Sequence, residues 1–268
     1  MTKNMENPLV KVVTSDRYPL HGLLLKPAKK TKTIIIHMHG SAGNFYQSTF
    51  YPFLFEMAND LGVSFLSTNS RGTGVYDVEV GTKYRGAAIE IFEECLLDID
   101  AWIEYALGLG YTNIILEGHS FGTNKILYYI LNGKYKGKVK ALILLGFTDS
   151  YGGQLEYLKT QGIKNEEVLK VAEELVSQNK KEQLLSYPLI NWGEVPQSAY
   201  SYLNFMSPNS ELSKVLPLRI RGSLDNFKKI DVPILGIVGD HDEYTVVPPK
   251  EAVGMLNKQN KNATCYMI

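Results

Sequence analysis

Residues 113–131 read NIILEGHSFGTNKILYYIL, and three local patterns follow one another within them. The apolar run 114–116 has strand character, and the spacing of Ile126, Leu127, Ile130 and Leu131 is that of one helix face. Between them, Gly118, Ser120 and Gly122 make a Gly-x-Ser-x-Gly turn. A hydroxyl that attacks a carbonyl must stand clear of the sheet, so the serine of such a turn sits on a tight, strained strand-to-helix bend, a nucleophile elbow. Only small neighbours fit there, and the two glycines let strand and helix cross closely. The helix N-terminus brings N–H groups and the positive end of a dipole beside Ser120, the candidate nucleophile.

Upstream, residues 33–39, TIIIHMH, form a nearly continuous apolar run, as expected of a central parallel strand covered on both faces. The run delivers the loop HGSAGN, residues 39–44. Downstream, residues 232–238, VPILGIV, lead into GDHDEYTVVP. With the elbow in its strand-turn-helix setting, these segments resemble the α/β-hydrolase superfamily over nearly the whole chain. The resemblance implies an α/β fold with a mostly parallel central sheet flanked by helices. It implies an oxyanion hole built from the N–H after the His-Gly pair and the N–H after the nucleophile, here those of Ser41 and Phe121. It also implies an acid at Asp242, with Gly239 before it and Pro248 after it; Asp240 and Asp149 are reserves.

In that superfamily the triad histidine follows the acid, after the last strand. Residues 263–268, ATCYMI, read as that strand, and all five histidines precede it. His241 adjoins the acid on one tight loop and cannot easily span to Ser120. His37 and His39 fall on one strand face and read as structural, since two imidazoles lacking a third ligand make a poor zinc site. His21 reads as a surface residue in a turn. The expectation is a chain shortened at its C-terminus, with a histidine within about ten residues after Ile268 and a covering helix beyond it.

In chain order, strands are expected over 9–14 and 22–26, a helix over 47–59 and a strand over 63–68 that runs into NSRGTG. Arg71 in that turn reads as a loop brace that bonds nearby carbonyl groups rather than a substrate carboxylate. A helix over 89–109 puts Phe92, Leu96, Ile99, Ile103 and Ala106 on one face, and 139–145 is a further strand. Residues 151–229 are too long for a connecting loop and carry their own helix, 165–178, with Asn165 as N-cap. They read as a helical lid inserted after the sixth strand, which divides the chain into core 1–150, lid 151–229 and core 230–268. Of the lid aromatics Tyr187, Trp192, Tyr200, Tyr202 and Phe205, about two are expected to touch substrate.

Composition sets the outer bounds. A chain of 268 residues with 44% hydrophobic content can bury one large core. The 28 basic and 28 acidic residues cancel without long runs, so neither nucleic acid nor an anionic membrane is indicated as a partner. Cys95 and Cys265 lack metal-ligand spacing, MTKNMENPLV lacks the apolar core of a leader, and no apolar run nears the roughly twenty residues of a membrane span. These features predict a cytoplasmic protein with reduced thiols and a small, weakly charged substrate; the resemblance implies that the substrate is a small acyl compound and that no metal or organic cofactor is needed. Two functions fit: a serine hydrolase acting on an ester, thioester or similar bond through a Ser120 acyl-enzyme, or a non-catalytic relative that binds a small apolar ligand.

Overall fold

In the computed structural model, residues 8–78, 84–222, 224–242 and 244–268 are described; residues 1–7, on which the reading of the leader partly rests, lie outside them. The chain runs β1 (Leu9–Val13), β2 (Pro19–Leu25), β3 (Thr33–Met38), α1 (Tyr51–Asp60), β4 (Ser64–Thr68), a two-stranded ribbon β5 (Asp77–Val78) and β6 (Tyr84–Arg85), then α2 (Cys95–Gly108). The elbow follows as β7 (Asn113–His119) and α3 (Phe121–Asn132), and then β8 (Val139–Leu145). Helices α4 (Ser150–Thr160), α5 (Asn165–Ser177), α6 (Ala199–Met206), α7 (Glu211–Val215) and α8 (Asp225–Lys228) separate β8 from β9 (Ile234–Val238). Helix α9 (Pro249–Gln259) and β10 (Ala263–Met267) complete the described chain.

The main sheet has the order β1-β2-β4-β3-β7-β8-β9-β10, antiparallel over its first two pairings and parallel from β4 onward. Its centre is buried on both faces, as a parallel strand with helices above and below requires: every residue of β4 and all but the first of β3 are buried. Ile99, Trp102, Ile103 and Ala106 of α2 are wholly buried in the largest apolar cluster. Ile99 and Ile103 each contribute roughly 1.5–3 kcal/mol by leaving water. Among the described residues no helix is long and apolar enough to cross a membrane.

The structure moves several element boundaries. Strand β2 begins at Pro19, so His21 lies within it, exposed and opposite Lys11, rather than in the turn. The helix expected over 89–109 starts only at Cys95. Before it, the backbone is spent on the β8–β9 insertion: Ser198 N–H bonds the Ala88 carbonyl, Ser201 Oγ the Glu90 carbonyl, and Asn204 Oδ1 takes the Phe92 N–H. Those bonds hold Glu90 extended and break the helix into two 3₁₀ turns. Lys164, not Asn165, caps α5; the Asn165 amide instead bonds the Met206 carbonyl and the Tyr202 hydroxyl.

Candidate active site

Gly118 and Gly122 answer to contact distance. A β-carbon on Gly122 would stand 2.2 Å from the Met38 carbonyl oxygen, and one on Gly118 would stand 2.5 Å from the Gly122 carbonyl. Strand β7, helix α3 and the end of β3 therefore touch backbone to backbone. The chain is bent through Ser120, which has φ 52° and ψ −123°, a conformation that L side chains rarely adopt and that costs of order 1–3 kcal/mol. Its N–H bonds Leu145 of β8 at 2.9 Å and its carbonyl is held by Thr123. The elbow is thus tied to β8 by its N–H and to its own helix by its carbonyl.

Gly40 packs against the serine; a β-carbon there would lie 3.1 Å from Ser120 Cβ. The Gly40 carbonyl is turned away, accepting the Gly43 N–H at 3.1 Å and lying 2.7 Å from His39 Nδ1. In a planar trans peptide the C=O and the next N–H point in opposite directions, so holding this carbonyl fixes the direction of the Ser41 N–H. Among the described residues neither the Ser41 N–H nor the Phe121 N–H has a hydrogen-bond acceptor in the protein.

A cavity of about 260 Å³ opens at this point, just under the roughly 300–1,000 Å³ usual for small-molecule sites. Its lining includes Gly40, Ser41, His119 and Ser120, Thr148 and Ser150 after β8, and Trp192, Glu194, Val195 and Tyr244. Of the five aromatic residues singled out between 186 and 210, Trp192 alone lines it. Tyr202 and Phe205 are buried in the core, and Tyr187 and Tyr200 are exposed, because α6 turns its apolar face toward Phe92 and Phe121.

Asp242 lies on the loop after β9, where its Oδ1 accepts the Tyr244 N–H at 2.9 Å. The Tyr244 carbonyl in turn accepts from Thr148 Oγ1 and the Asp149 N–H, which ties this loop to the end of β8. A β-carbon on Gly146 would stand 3.7 Å from Asp242 Oδ2 and 3.9 Å from His119 Nε2, so acid and imidazole flank that glycine. The reserve acids are committed elsewhere. Asp149 caps α4 and pairs with Arg219 at 2.7 Å, while Asp240 is exposed beside the still more exposed His241.

Burial, with a smaller contribution from His37, holds His119 down at about 4. Burial and then the Lys125 ammonium hold His39 at about 3. His37 pairs with Glu117 at 2.7 Å among the rings of Phe50, Tyr51 and Phe65. Among the described residues no imidazole bonds Ser120, and no group of three ligands could hold a metal. Arg71 braces its loop through carboxylates, bonding Asp98, Asp16 and Glu94. Reading the sequence missed the buried Lys125–Glu90 pair; a lysine directly before the apolar residues of α3 was the available signal.

A model of the family described as Protein of unknown function (DUF1749) matches residues 51–264. The chain belongs to that family. No curated protein matches this DUF1749 member. Its fold is that of solved α/β-hydrolases. The α/β hydrolase GrgF from Penicillium sp. sh18 is 14% identical with a TM-score of 0.67, over 97% of this chain and 88% of that one. Est1E from Butyrivibrio proteoclasticus, solved with ferulic acid bound, is 22% identical with a TM-score of 0.62, over 96% and 88%. A soluble variant of the monoglyceride lipase of Saccharomyces cerevisiae, in complex with a substrate analogue, is 13% identical with a TM-score of 0.65, over 99% and 87%. At these identities the likeness is one of fold.

Proposed function

We propose that this DUF1749 member is a serine hydrolase that cleaves a small ester, thioester or related acyl substrate through an acyl-enzyme on Ser120. The observation that carries the reading is a strained serine beside two N–H groups, those of Ser41 and Phe121, that lack protein acceptors. Ser120 Oγ attacks the acyl carbon and gives its proton to a base, while the two N–H groups bind the developing oxyanion. The intermediate collapses, the leaving alcohol or thiol takes that proton, and water then releases the acid by the same steps in reverse. Such a pair of donors has little use in a protein that does not stabilise a transient oxyanion. The names of the monoglyceride lipase and other esterases that share the fold agree with this reading.

Asp242 is assigned to orient the base. The Ile268 N–H bonds the Val238 carbonyl and the Ile268 carbonyl takes the Asp240 N–H, so the end of β10 lies beside the acid loop. The insertion between β8 and β9 is assigned as a lid that sets substrate choice through Trp192 and Val195. Two buried thiols, neither in a disulfide, fit a cytoplasmic protein.

A second reading, ligand binding without hydrolysis, draws on the lack of an imidazole bonded to Ser120 among the described residues. Fluorophosphonate labelling and turnover of short p-nitrophenyl esters by the full natural protein decide between them. Labelling at Ser120 and loss of turnover in Ser120→Ala are expected. Equal turnover by both proteins would sink the nucleophile assignment.

A further inference from the structure

Helix α3 carries a lysine where it faces the core. Lys125, five residues beyond the nucleophile, is 1% exposed, and its Nζ lies 2.5 Å from Glu90 Oε1 and 3.2 Å from Ser70 Oγ, with the Phe121 ring 5.0 Å away. Buried ion pairs of this kind are weak stabilisers, because desolvation offsets most of the attraction. A role in ordering the site is therefore the better account of it.

The hydrogen-bond directions supply that role. The Gly40 carbonyl can only accept, so His39 Nδ1 carries the ring proton. In the neutral ring Nε2 is then an acceptor, and Ser70 N–H, Ser70 Oγ and Thr73 Oγ1 surround it at 3.1, 3.1 and 2.9 Å. An ammonium can only donate, so Lys125 occupies a lone pair of Ser70 Oγ and turns the Ser70 hydroxyl proton toward His39. Glu90 balances the ammonium, lying so close under the Gly72 backbone that a β-carbon there would stand 2.2 Å from its carboxylate.

We infer that Lys125, acting through Ser70 and His39, is a positioning residue that holds the Gly40–Ser41 peptide with its carbonyl turned back and its N–H toward the oxyanion. The inference rests on the hydrolase reading of the same site. Its second arm reaches the insertion, since the Glu90 carbonyl accepts from Ser201 Oγ of α6. One buried cation thereby joins the nucleophile helix, the oxyanion loop and the proposed lid.

The test uses Lys125→Met/Glu90→Gln, which removes both charges together, and Ser70→Ala, which cuts the wire and leaves the pair. Ring ¹⁵N signals of His39 are followed by NMR alongside steady-state kinetics in the full protein. The wild type should hold its His39 proton on Nδ1 from pH 5 to 9. In the double variant a population protonated at Nε2 should appear, and kcat should fall about tenfold or more with KM changed less than about threefold, as for loss of an oxyanion donor. Ser70→Ala should move both readouts in the same direction. A folded double variant with wild-type kcat and an unchanged His39 ring overturns the inference. If the wild type neither turns over esters nor labels at Ser120, the hydrolase reading fails, while the His39 signals still decide whether Lys125 sets the ring.

Discussion

Gly122 of α3 and Met38 of β3 are in backbone contact so close that a side chain on the glycine would have to begin 2.2 Å from the Met38 carbonyl oxygen. Gly122→Ala therefore forces helix and strand apart rather than displacing a flexible side chain. Overpacking against backbone costs about 3 kcal/mol or more, which for a chain of this size lowers Tm by roughly 6 °C or more. Thermal unfolding followed by circular dichroism reads this directly. An unchanged Tm would mean that the elbow is looser than described.

Asp149, 2% exposed, caps α4 and is gripped by the Arg219 guanidinium at 2.7 Å and by the Arg219 N–H at 3.0 Å. Arg219→Ala leaves a buried carboxylate short of its partner, at a cost of about 3 kcal/mol. Arg219→Met/Asp149→Asn removes both charges and should lose less than the single change. Urea unfolding of the three proteins gives the comparison, and a double variant weaker than Arg219→Ala would contradict it.

His39 and His119 are held at about 3 and about 4 in the folded protein, against roughly 6.5 in an unfolded chain. Between those values the unfolded chain binds more protons. Their contribution to stability is accordingly complete above about pH 6.5 and falls as pH drops toward 4, by at most about 1.4 kcal/mol per histidine per pH unit. The urea midpoint should decline between pH 7 and pH 5, and His119→Asn should make that decline shallower. A midpoint rising over this interval would show that the histidines are charged when folded.

Trp192 enters the cavity from the insertion, and its ring centroid stands 6.4 Å from that of Phe121. Trp192→Ala opens space in the cavity beside Ser120. Relative kcat/KM on p-nitrophenyl esters should shift toward longer acyl chains, by roughly fourfold for each of the first added methylenes. Equal losses on acetate and octanoate would place the ring outside the acyl site.

The sequence by itself determined the strand-elbow-helix unit at Ser120, the HGSAGN loop and the strand order's parallel character, because each is written in neighbouring residues: a turn pattern, a glycine-rich loop, an unbroken apolar run. The length of residues 151–229 marked them as more than a loop, and helices α4 to α8 lie between β8 and β9. The start of α2 escaped it, since Ala88, Glu90 and Phe92 give their backbone groups to residues more than a hundred positions away. The same holds for Trp192 as the one ring of five that reaches the cavity, and for the partners that Lys125, Asp149 and Arg71 chose. Local pattern encodes torsion preference and facing, which act over a few residues. The burial and pairing of a charge depend on what the fold brings alongside it, and that is settled only when distant segments pack.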